Sequence, residues 1–174
     1  MELRLLTVEH IGDVAELIGE PDVLRFTRIP EPPPADFART WVAGYERRRA
    51  AGDAEAFAIA GDDGAFLGLA LAPVIEREAA TAELGYIVAA RATGRGVATA
   101  ALGLMTRWAF DERGMQRLTL TIDVDNPASK KVAERCAYTR EGVLRSTYFK
   151  QGRRTDVELW SRLLSDPAPV TTAP

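Results

Sequence analysis

The chain has 174 residues and a formal net charge of -3, with 22 Lys and Arg against 25 Asp and Glu, so it is long enough for one domain, short for two, and not basic enough to indicate a nucleic-acid partner. Its single cysteine, Cys136, excludes an internal disulfide, and with the single histidine, His10, it leaves too few ligands for a His/Cys metal site. No apolar run reaches the roughly 20 residues that span a bilayer, and the N-terminus lacks the layout of a signal peptide, so we expect a soluble cytoplasmic protein without a membrane partner.

The first part of the chain predicts a strand and two helices. Residues 3–6 form an edge strand in this interpretation, and Thr7 is a suitable N-cap for a helix that turns its aliphatic residues inward as far as Ile18. The proline-rich residues 30–34 favour an extended loop, because proline lacks a backbone N–H and cannot sit inside a helix. Asp36 then precedes a second helix with aromatic residues on its apolar side.

The rest of the chain alternates between strand and helix patterns. Residues 55–60 and 65–72 predict a hairpin turned by Gly and Asp residues, followed by a strand at 81–88. Residues 117–123 alternate apolar and polar side chains, so one face of that strand should be core. A helix is expected at 127–136, and two strands at 143–149 and 155–163 form a last hairpin.

The stretch 83–108 contains the pattern that predicts a ligand site. It reads as a strand, a turn with Gly94 and Gly96, and an amphipathic helix. The first N–H groups of a helix lack partners within it and carry partial positive charge, so this turn suits a phosphate, and glycine lets the ligand approach the main chain closely. From spacing alone, a plain strand-turn-helix with a glycine corner is an equal alternative.

The order of elements and five short motifs resemble one known family. The motif Arg-x-x-Gly-x-Gly at 91–96 is similar to the phosphate signature of the GNAT superfamily of acyl-CoA N-acyltransferases, in particular its RimJ/RimL branch, which acetylates ribosomal-protein N-termini. Residues 83–86, 126–129, 141–145 and 156–161 are similar to further motifs of that branch. The resemblance covers nearly all of residues 2–164, and it departs at Cys136-Ala137-Tyr138, where the family often has glycine.

The resemblance implies a set of cofactor-binding residues for acetyl-CoA. Main-chain groups of Ile87 and Val88 would pair with the pantetheine arm, and Asn126 and Ser129 would lie beside the arm and its sulfur. Asn126 precedes a proline, so the alternative role of its side chain is to cap the helix at 127–136. Arg91 and Arg95 are cations near the phosphates, with solvent exposure as the alternative. The amides that would hold the pyrophosphate belong to Gly94, Arg95, Gly96, Val97, Ala98 and Thr99.

The implied reaction needs a neutral amine, so a general base is useful. Glu83 is the leading candidate for the base, acting through water, and its alternative is a partly exposed strand carboxylate. Ser129 is a second candidate catalytic residue, and its alternative is a partner in the helix cap. Tyr138 and Tyr148 are candidate proton donors, although core positions are the commoner role of such residues. Cys136 lacks an adjacent base, which favours direct acetyl transfer over a covalent enzyme intermediate.

The resemblance also implies an architecture and partners. We expect a single-domain α/β (α+β) GNAT fold at 1–164, with a mixed, mostly antiparallel sheet splayed at the acyl-CoA site and flanked by helices, and a flexible tail at 165–174. The expected activity is acetyl-CoA-dependent N-acetyltransfer to a primary amine, on a protein N-terminus or a small molecule. The alternative is a GNAT-like sensor that binds acyl-CoA without efficient catalysis. Residues 28–36 and 75–82 are expected to flank the acceptor, no metal is expected, and a homodimer is left open.

Overall fold

The protein is described here by a computed structural model, which covers residues 1–167. Of the tail predicted at 165–174, residues 168–174 lie outside the described residues, and the predicted domain boundary stays a prediction. The helices and strands follow one another as β1 (Glu2–Leu5), α1 (Ile11–Leu17), α2 (Pro21–Phe26), α3 (Phe37–Ala51), β2 (Glu55–Ala60), β3 (Phe66–Glu76), β4 (Thr81–Val88), α4 (Val97–Arg107), β5 (Arg117–Asp123), α5 (Pro127–Arg135), β6 (Thr139–Lys150) and β7 (Arg153–Leu163).

The strands form one seven-stranded sheet in the order β1-β2-β3-β4-β5-β7-β6. Every neighbouring pair is antiparallel except β4 and β5, which run parallel. The β4–β5 ladder begins at Thr81↔Arg117 and ends at Glu83↔Thr119, after which the two strands separate. The predicted fold, a mixed and mostly antiparallel sheet that splays in the middle, is therefore confirmed.

Helices cover both faces of the sheet, so the protein has two apolar cores. On one face, α4 packs on a core that includes Leu84, Leu118, Leu120 and Ile122. On the other face, α1 and α3 pack on a core that includes Ile87. Successive side chains of a strand point to opposite faces. Because Leu84 and Leu120 belong to the α4 face, Glu83 and Thr121 belong to the face of α1 and α3.

Three elements differ from the sequence prediction. The short helix α2 lies where the sequence predicted no element, and Pro21 occupies its first turn, where a missing N–H costs nothing. The last hairpin is longer than predicted, since β6 begins at Thr139 and β7 at Arg153. In addition, α4 continues into one turn of π-helix over Trp108–Glu112 before the chain reverses.

The chain leaves α5 at Cys136-Ala137-Tyr138, where the sequence departs from the family pattern. Ala137 takes the left-handed conformation, with φ of 59°. A residue with a Cβ is strained there, which is why glycine is usual after a helix. Alanine thus occupies a position after the helix that favours glycine.

An ion pair joins β5 to the start of β6. The guanidinium of Arg117 donates two hydrogen bonds to the Glu141 carboxylate, at 2.8 and 2.6 Å, and the Ser161 hydroxyl donates a third at 2.6 Å. These hydrogen bonds from Arg117 and then Ser161 lower the pKa of Glu141 from 4.5 to about 2. The pair holds the parallel end of the sheet together, opposite the splayed end.

Candidate active site

A cleft of about 510 Å³ opens where β4 and β5 separate. Its floor is the two strands, one wall is formed by the first turn of α4 and by α5, and the other wall is α2. Of the predicted site residues, those that line this cleft are Ile87, Val88, Gly94, Gly96, Val97, Ala98, Thr99, Asn126 and Ser129. One cavity therefore collects predicted residues from three separate parts of the chain.

The turn before α4 presents a row of free backbone amides to the cleft. Within residues 1–167, no hydrogen bond is donated by the N–H groups of residues 94–99, whereas the next amide, that of Ala100, donates to the Gly96 carbonyl at 3.0 Å. Helix starts leave such donors unpaired, and the helix dipole adds partial positive charge. The turn for which the sequence predicted an anion site therefore presents a row of unpaired donors to the cleft.

Gly94 and Gly96 are required by the backbone of this turn. Their φ angles are 72° and 77°, in the left-handed region that other residues avoid. A Cβ on either glycine would meet no described atom within 4 Å. The space beside the turn is thus open to a ligand, and a bulky or negative side chain at these positions would occupy the same space as a phosphate.

The edge of β4 that faces β5 is open from Leu84 to Val88, because the ladder between the two strands ends at Glu83. On its other side the strand stays paired with β3, as in the pairs Leu69↔Ile87 and Gly68↔Val88. An open strand edge can pair with an extended ligand through main-chain hydrogen bonds. The Ala89 amide donates to the Leu67 carbonyl at 2.9 Å, so the alternation of an antiparallel ladder directs the main-chain groups of Ile87 to β3 and those of Val88 to the open edge. Of the two residues predicted to pair with the pantetheine arm, Val88 therefore has its main-chain groups free for a ligand, whereas those of Ile87 are used within the sheet.

The start of α5 forms the far side of the cleft. The Asn126 side-chain oxygen accepts a hydrogen bond from the Ser129 amide at 3.1 Å, so the predicted capping role is confirmed. Its amide nitrogen is not used by this cap and is a donor for a ligand. The Tyr86 hydroxyl, 3.5 Å from the Ser129 carbonyl, lies across the same gap, and burial raises the pKa of Tyr86 to about 12.

The two predicted arginines lie apart from the cleft. Arg91 and Arg95 border a second hollow, beside Asp62 and Asp63. The Arg91 guanidinium donates to the Phe66 carbonyl at 2.7 Å. Arg91 therefore ties the loop to β3, while Arg95 is exposed at the outer side of the glycine turn.

Glu83 stands at the point where the strands separate, on the face of the sheet opposite α4. The Thr121 hydroxyl donates to its carboxylate at 2.9 Å, and the Tyr148 hydroxyl lies 2.6 Å from the Thr121 hydroxyl. The Arg28 guanidinium covers the Tyr148 ring at 4.1 Å. On the other side, burial raises the pKa of Tyr45 to about 12, and the nearby charge of Glu83 adds to this rise while Arg48 opposes it.

The two segments that the sequence predicted to flank the acceptor are not part of this cleft. Residues 28–36 and 75–82 do not line the cleft in the described part of the chain, and its second wall is built by α2 residues such as Val23 and Phe26. The turn after β3 lies at the paired end of β4, whereas the cleft opens at the other end, so this turn is remote from it. Only Arg28, through the Tyr148 ring, borders the site among the described residues of the first segment.

Two basic residues of the cleft were missed by the sequence reasoning. Lys131 and Arg135 line it from α5, with exposed side chains. They lie four residues apart, and residues at this spacing share one face of a helix. The spacing was visible in the sequence, but it gains meaning only from the placement of α5 against the start of α4.

The other candidate groups lie in the core. Tyr138 is buried and shares a 2.9 Å hydrogen bond with the Thr106 hydroxyl, so it is packed behind α4. Burial raises the pKa of the Cys136 thiol, which donates to the Thr99 carbonyl at 3.4 Å. Among residues 1–167, no cluster of three or more His, Cys, Asp or Glu residues is arranged for a metal ion, and no helix is long and apolar enough to cross a membrane.

The fold places unpaired amides beside an open strand edge in one cleft, an arrangement that suits an extended ligand with an anionic group. The comparison with family models says which class this is, because the model described as "Acetyltransferase (GNAT) domain" matches residues 1–139. The chain belongs to the GNAT acetyltransferase family. GNAT acetyltransferases use acetyl-CoA, so the predicted family and the predicted donor are both confirmed.

Individual relatives support the same assignment. The chain is 30% identical over 101 residues to the "Putative ribosomal N-acetyltransferase YdaF" of Bacillus subtilis (strain 168), a match that spans 58% of this chain and 55% of that relative. The structure is similar to RimL, a ribosomal L7/L12 alpha-N-protein acetyltransferase in complex with coenzyme A, with a TM-score of 0.84 and 24% identity over 92% of each chain. It is also similar to the spermidine N-acetyltransferase SpeG of Vibrio cholerae, with a TM-score of 0.78 and 21% identity over 94% of this chain and 95% of that chain. At these identities the two structures show the fold.

Proposed function

We propose that the protein transfers an acetyl group directly from acetyl-CoA to a primary amine. One observation carries the proposal: unpaired amides at the start of α4 adjoin an open edge of β4, and a carboxylate, Glu83, stands where that edge begins. The first two features fit the pyrophosphate and the pantetheine arm of acetyl-CoA, and the third fits the reacting amine.

The proposed binding mode uses the cleft from end to end. The amides of residues 94–99 hold the pyrophosphate, and the open edge of β4 at Val88 pairs with the pantetheine arm. The side-chain nitrogen of Asn126 donates to the same arm. Lys131 and Arg135 are the proposed cations for the phosphates, because they line the cleft, whereas Arg95 lies at the second hollow and Arg91 has a structural contact at the Phe66 carbonyl.

The bound thioester supplies an activated acetyl group, and the protein supplies the base and the donors. Glu83, directly or through one water, accepts a proton from the attacking amine as the carbon–nitrogen bond forms and the carbon–sulfur bond breaks. A free main-chain amide of the open β4 edge beside Glu83 is the proposed donor to the carbonyl oxygen as negative charge develops on it. Ser129 is the proposed donor to the departing sulfur. The raised pKa of the Cys136 thiol disfavours a covalent enzyme intermediate and supports direct transfer.

The acceptor is proposed to be a peptide N-terminus or a small-molecule amine. The structural relatives include both kinds of acceptor, since RimL acts on a ribosomal protein and SpeG on spermidine. An α-amine has a pKa near 8 and loses its proton more readily than a lysine ammonium, so a carboxylate acting through water suits it. We propose a cytoplasmic location, in keeping with one free and buried cysteine, and leave a homodimer as an alternative to a monomer.

Calorimetry with acetyl-CoA, combined with a thiol-release assay over a panel of amines, tests the proposal. The panel contains dipeptides with free N-termini, polyamines and other small amines. The proposal predicts binding of acetyl-CoA and thiol release well above background with at least one amine. Tight binding without turnover on any amine would instead favour the sensor function, and the absence of binding would reject both.

A further inference from the structure

The hydrogen bonds around Glu83 have a fixed direction. A carboxylate is only an acceptor when it is ionised, so the Thr121 hydroxyl uses its one proton for the 2.9 Å bond to Glu83 Oε1. The Thr121 oxygen must then accept in its 2.6 Å contact with the Tyr148 hydroxyl. The three side chains thus form a chain in which Tyr148 donates to Thr121 and Thr121 donates to Glu83.

This chain joins three strands at the point where the sheet opens. Glu83 belongs to β4, Thr121 to β5 and Tyr148 to β6, and the three meet in a partly buried position where hydrogen bonds to a charged group are stronger than in water. The Arg28 guanidinium covers the outer face of the Tyr148 ring. Lys150, two residues further along β6, donates to the Thr27 carbonyl at 3.3 Å and so fastens the end of the hairpin to the chain after α2.

We propose that Thr121, backed by Tyr148, is a positioning residue for the Glu83 base: it holds Oε1 of the carboxylate and leaves Oε2 for the amine or its water. This inference rests on the proposed function. A carboxylate on a flexible side chain otherwise samples several rotamers, and proton transfer needs the acceptor oxygen within hydrogen-bond reach of the amine. Thr121 lines the cleft, but its hydroxyl is engaged with Glu83 and Tyr148, so loss of this hydroxyl should slow the chemical step without weakening donor binding.

The test compares kcat for Thr121→Val in two backgrounds, the wild-type enzyme and Glu83→Gln. With Glu83 present, the substitution is expected to lower kcat about tenfold, the order of one hydrogen bond to a charged group, with the KM for acetyl-CoA unchanged. In the Glu83→Gln background it is expected to change kcat less than twofold, because the group that it positions no longer acts as a base. Thr121→Ser keeps the hydroxyl and should restore most of the rate.

Thr119→Val is the matched control. Thr119 lies two residues earlier on the same strand and face, and its hydroxyl points to the Ala82 carbonyl at 3.5 Å rather than to Glu83. Its kcat should match that of the wild type. If Thr121→Val fails to fold, Tyr148→Phe replaces it, with an expected threefold loss of kcat that also disappears in the Glu83→Gln background.

The outcomes separate the two proposals. Equal losses for Thr121→Val in both backgrounds, or no rescue by serine, would overturn the positioning role while leaving the acetyltransferase function intact. A kcat for Thr121→Val equal to that of Thr119→Val would overturn it as well. The absence of turnover by the wild-type protein with any amine would overturn the proposed function, and with it the role of Glu83 on which this inference depends.

Discussion

Replacement of Gly96 by glutamate should abolish tight binding of acetyl-CoA. Gly152→Glu is the control, because it introduces the same charge and a similar backbone strain outside the cleft. Gly96 has φ of 77° and Gly152 has φ of 74°, and a Cβ on either would meet no described atom within 4 Å. The two variants therefore carry similar backbone strain and the same change of charge. Gly96 lies in the anion-binding turn, whereas Gly152 lies in the exposed turn between β6 and β7.

The expected loss follows from the charge introduced beside the phosphates. A carboxylate about 5 Å from a phosphate, at the effective dielectric constant of a protein surface, opposes binding by about 3 kcal/mol, which raises Kd by more than about a hundredfold. Isothermal titration calorimetry with acetyl-CoA measures this change directly. Because salt screens exposed charges, part of the affinity of Gly96→Glu should return at high ionic strength. Equal affinities for Gly96→Glu and Gly152→Glu would refute the assignment of the turn to the pyrophosphate.

Four further outcomes are expected. Glu83→Gln should lower kcat about a hundredfold or more with the Kd of acetyl-CoA nearly unchanged, as measured by thiol release and calorimetry; a rate and pH profile like those of the wild type would remove Glu83 as the base. Lys131→Ala should raise the Kd of acetyl-CoA several-fold, and the effect should be larger at low salt. Arg107 lies on α4 away from the cleft, so Arg107→Ala should leave this Kd unchanged. Equal effects of the two substitutions would contradict a phosphate contact. Ala137→Gly should raise the free energy of unfolding by about 1 kcal/mol and the melting temperature by about 3 °C, because glycine relieves the left-handed strain; a lower melting temperature would refute this reasoning. Glu141 has a folded-state pKa of about 2 against an ordinary 4.5, so its stabilising effect is complete above pH 4.5 and is lost as the pH falls toward 2. Urea unfolding at several acidic pH values should therefore show a smaller loss of stability for Glu141→Gln than for the wild type. Equal losses would contradict the ion pair.

The anion-binding turn could be predicted because its signal is local. The glycines at 94 and 96 and the amphipathic pattern that follows them are contiguous, and both the left-handed turn and the free amides result from those few residues. The strand at 81–88 and the cap at Asn126 were predictable for the same reason. Each depends on side chains within a few positions of one another.

The features that the sequence left unpredicted depend on contacts between distant parts of the chain. Thr121 contacts both Glu83 and Tyr148 because β4 separates from β5 and because the Tyr148 side chain extends from β6 across β7 to β5. Neither feature leaves a local pattern in the sequence. The direction of Arg91 toward Phe66 likewise depends on the neighbouring strand β3. The helix α2 was missed because it is six residues long, too short to show a hydrophobic period.

A single-turnover reaction tests the central claim most directly. The enzyme is mixed in excess over acetyl-CoA with the amine that turns over fastest, and free thiol and acetylated amine are measured together over time. Direct transfer predicts that the two products form at equal rates and in equal amounts, and that both slow together in Glu83→Gln. Thiol released without acetylated amine, or an acetylated enzyme that forms before the amine is added, would contradict it.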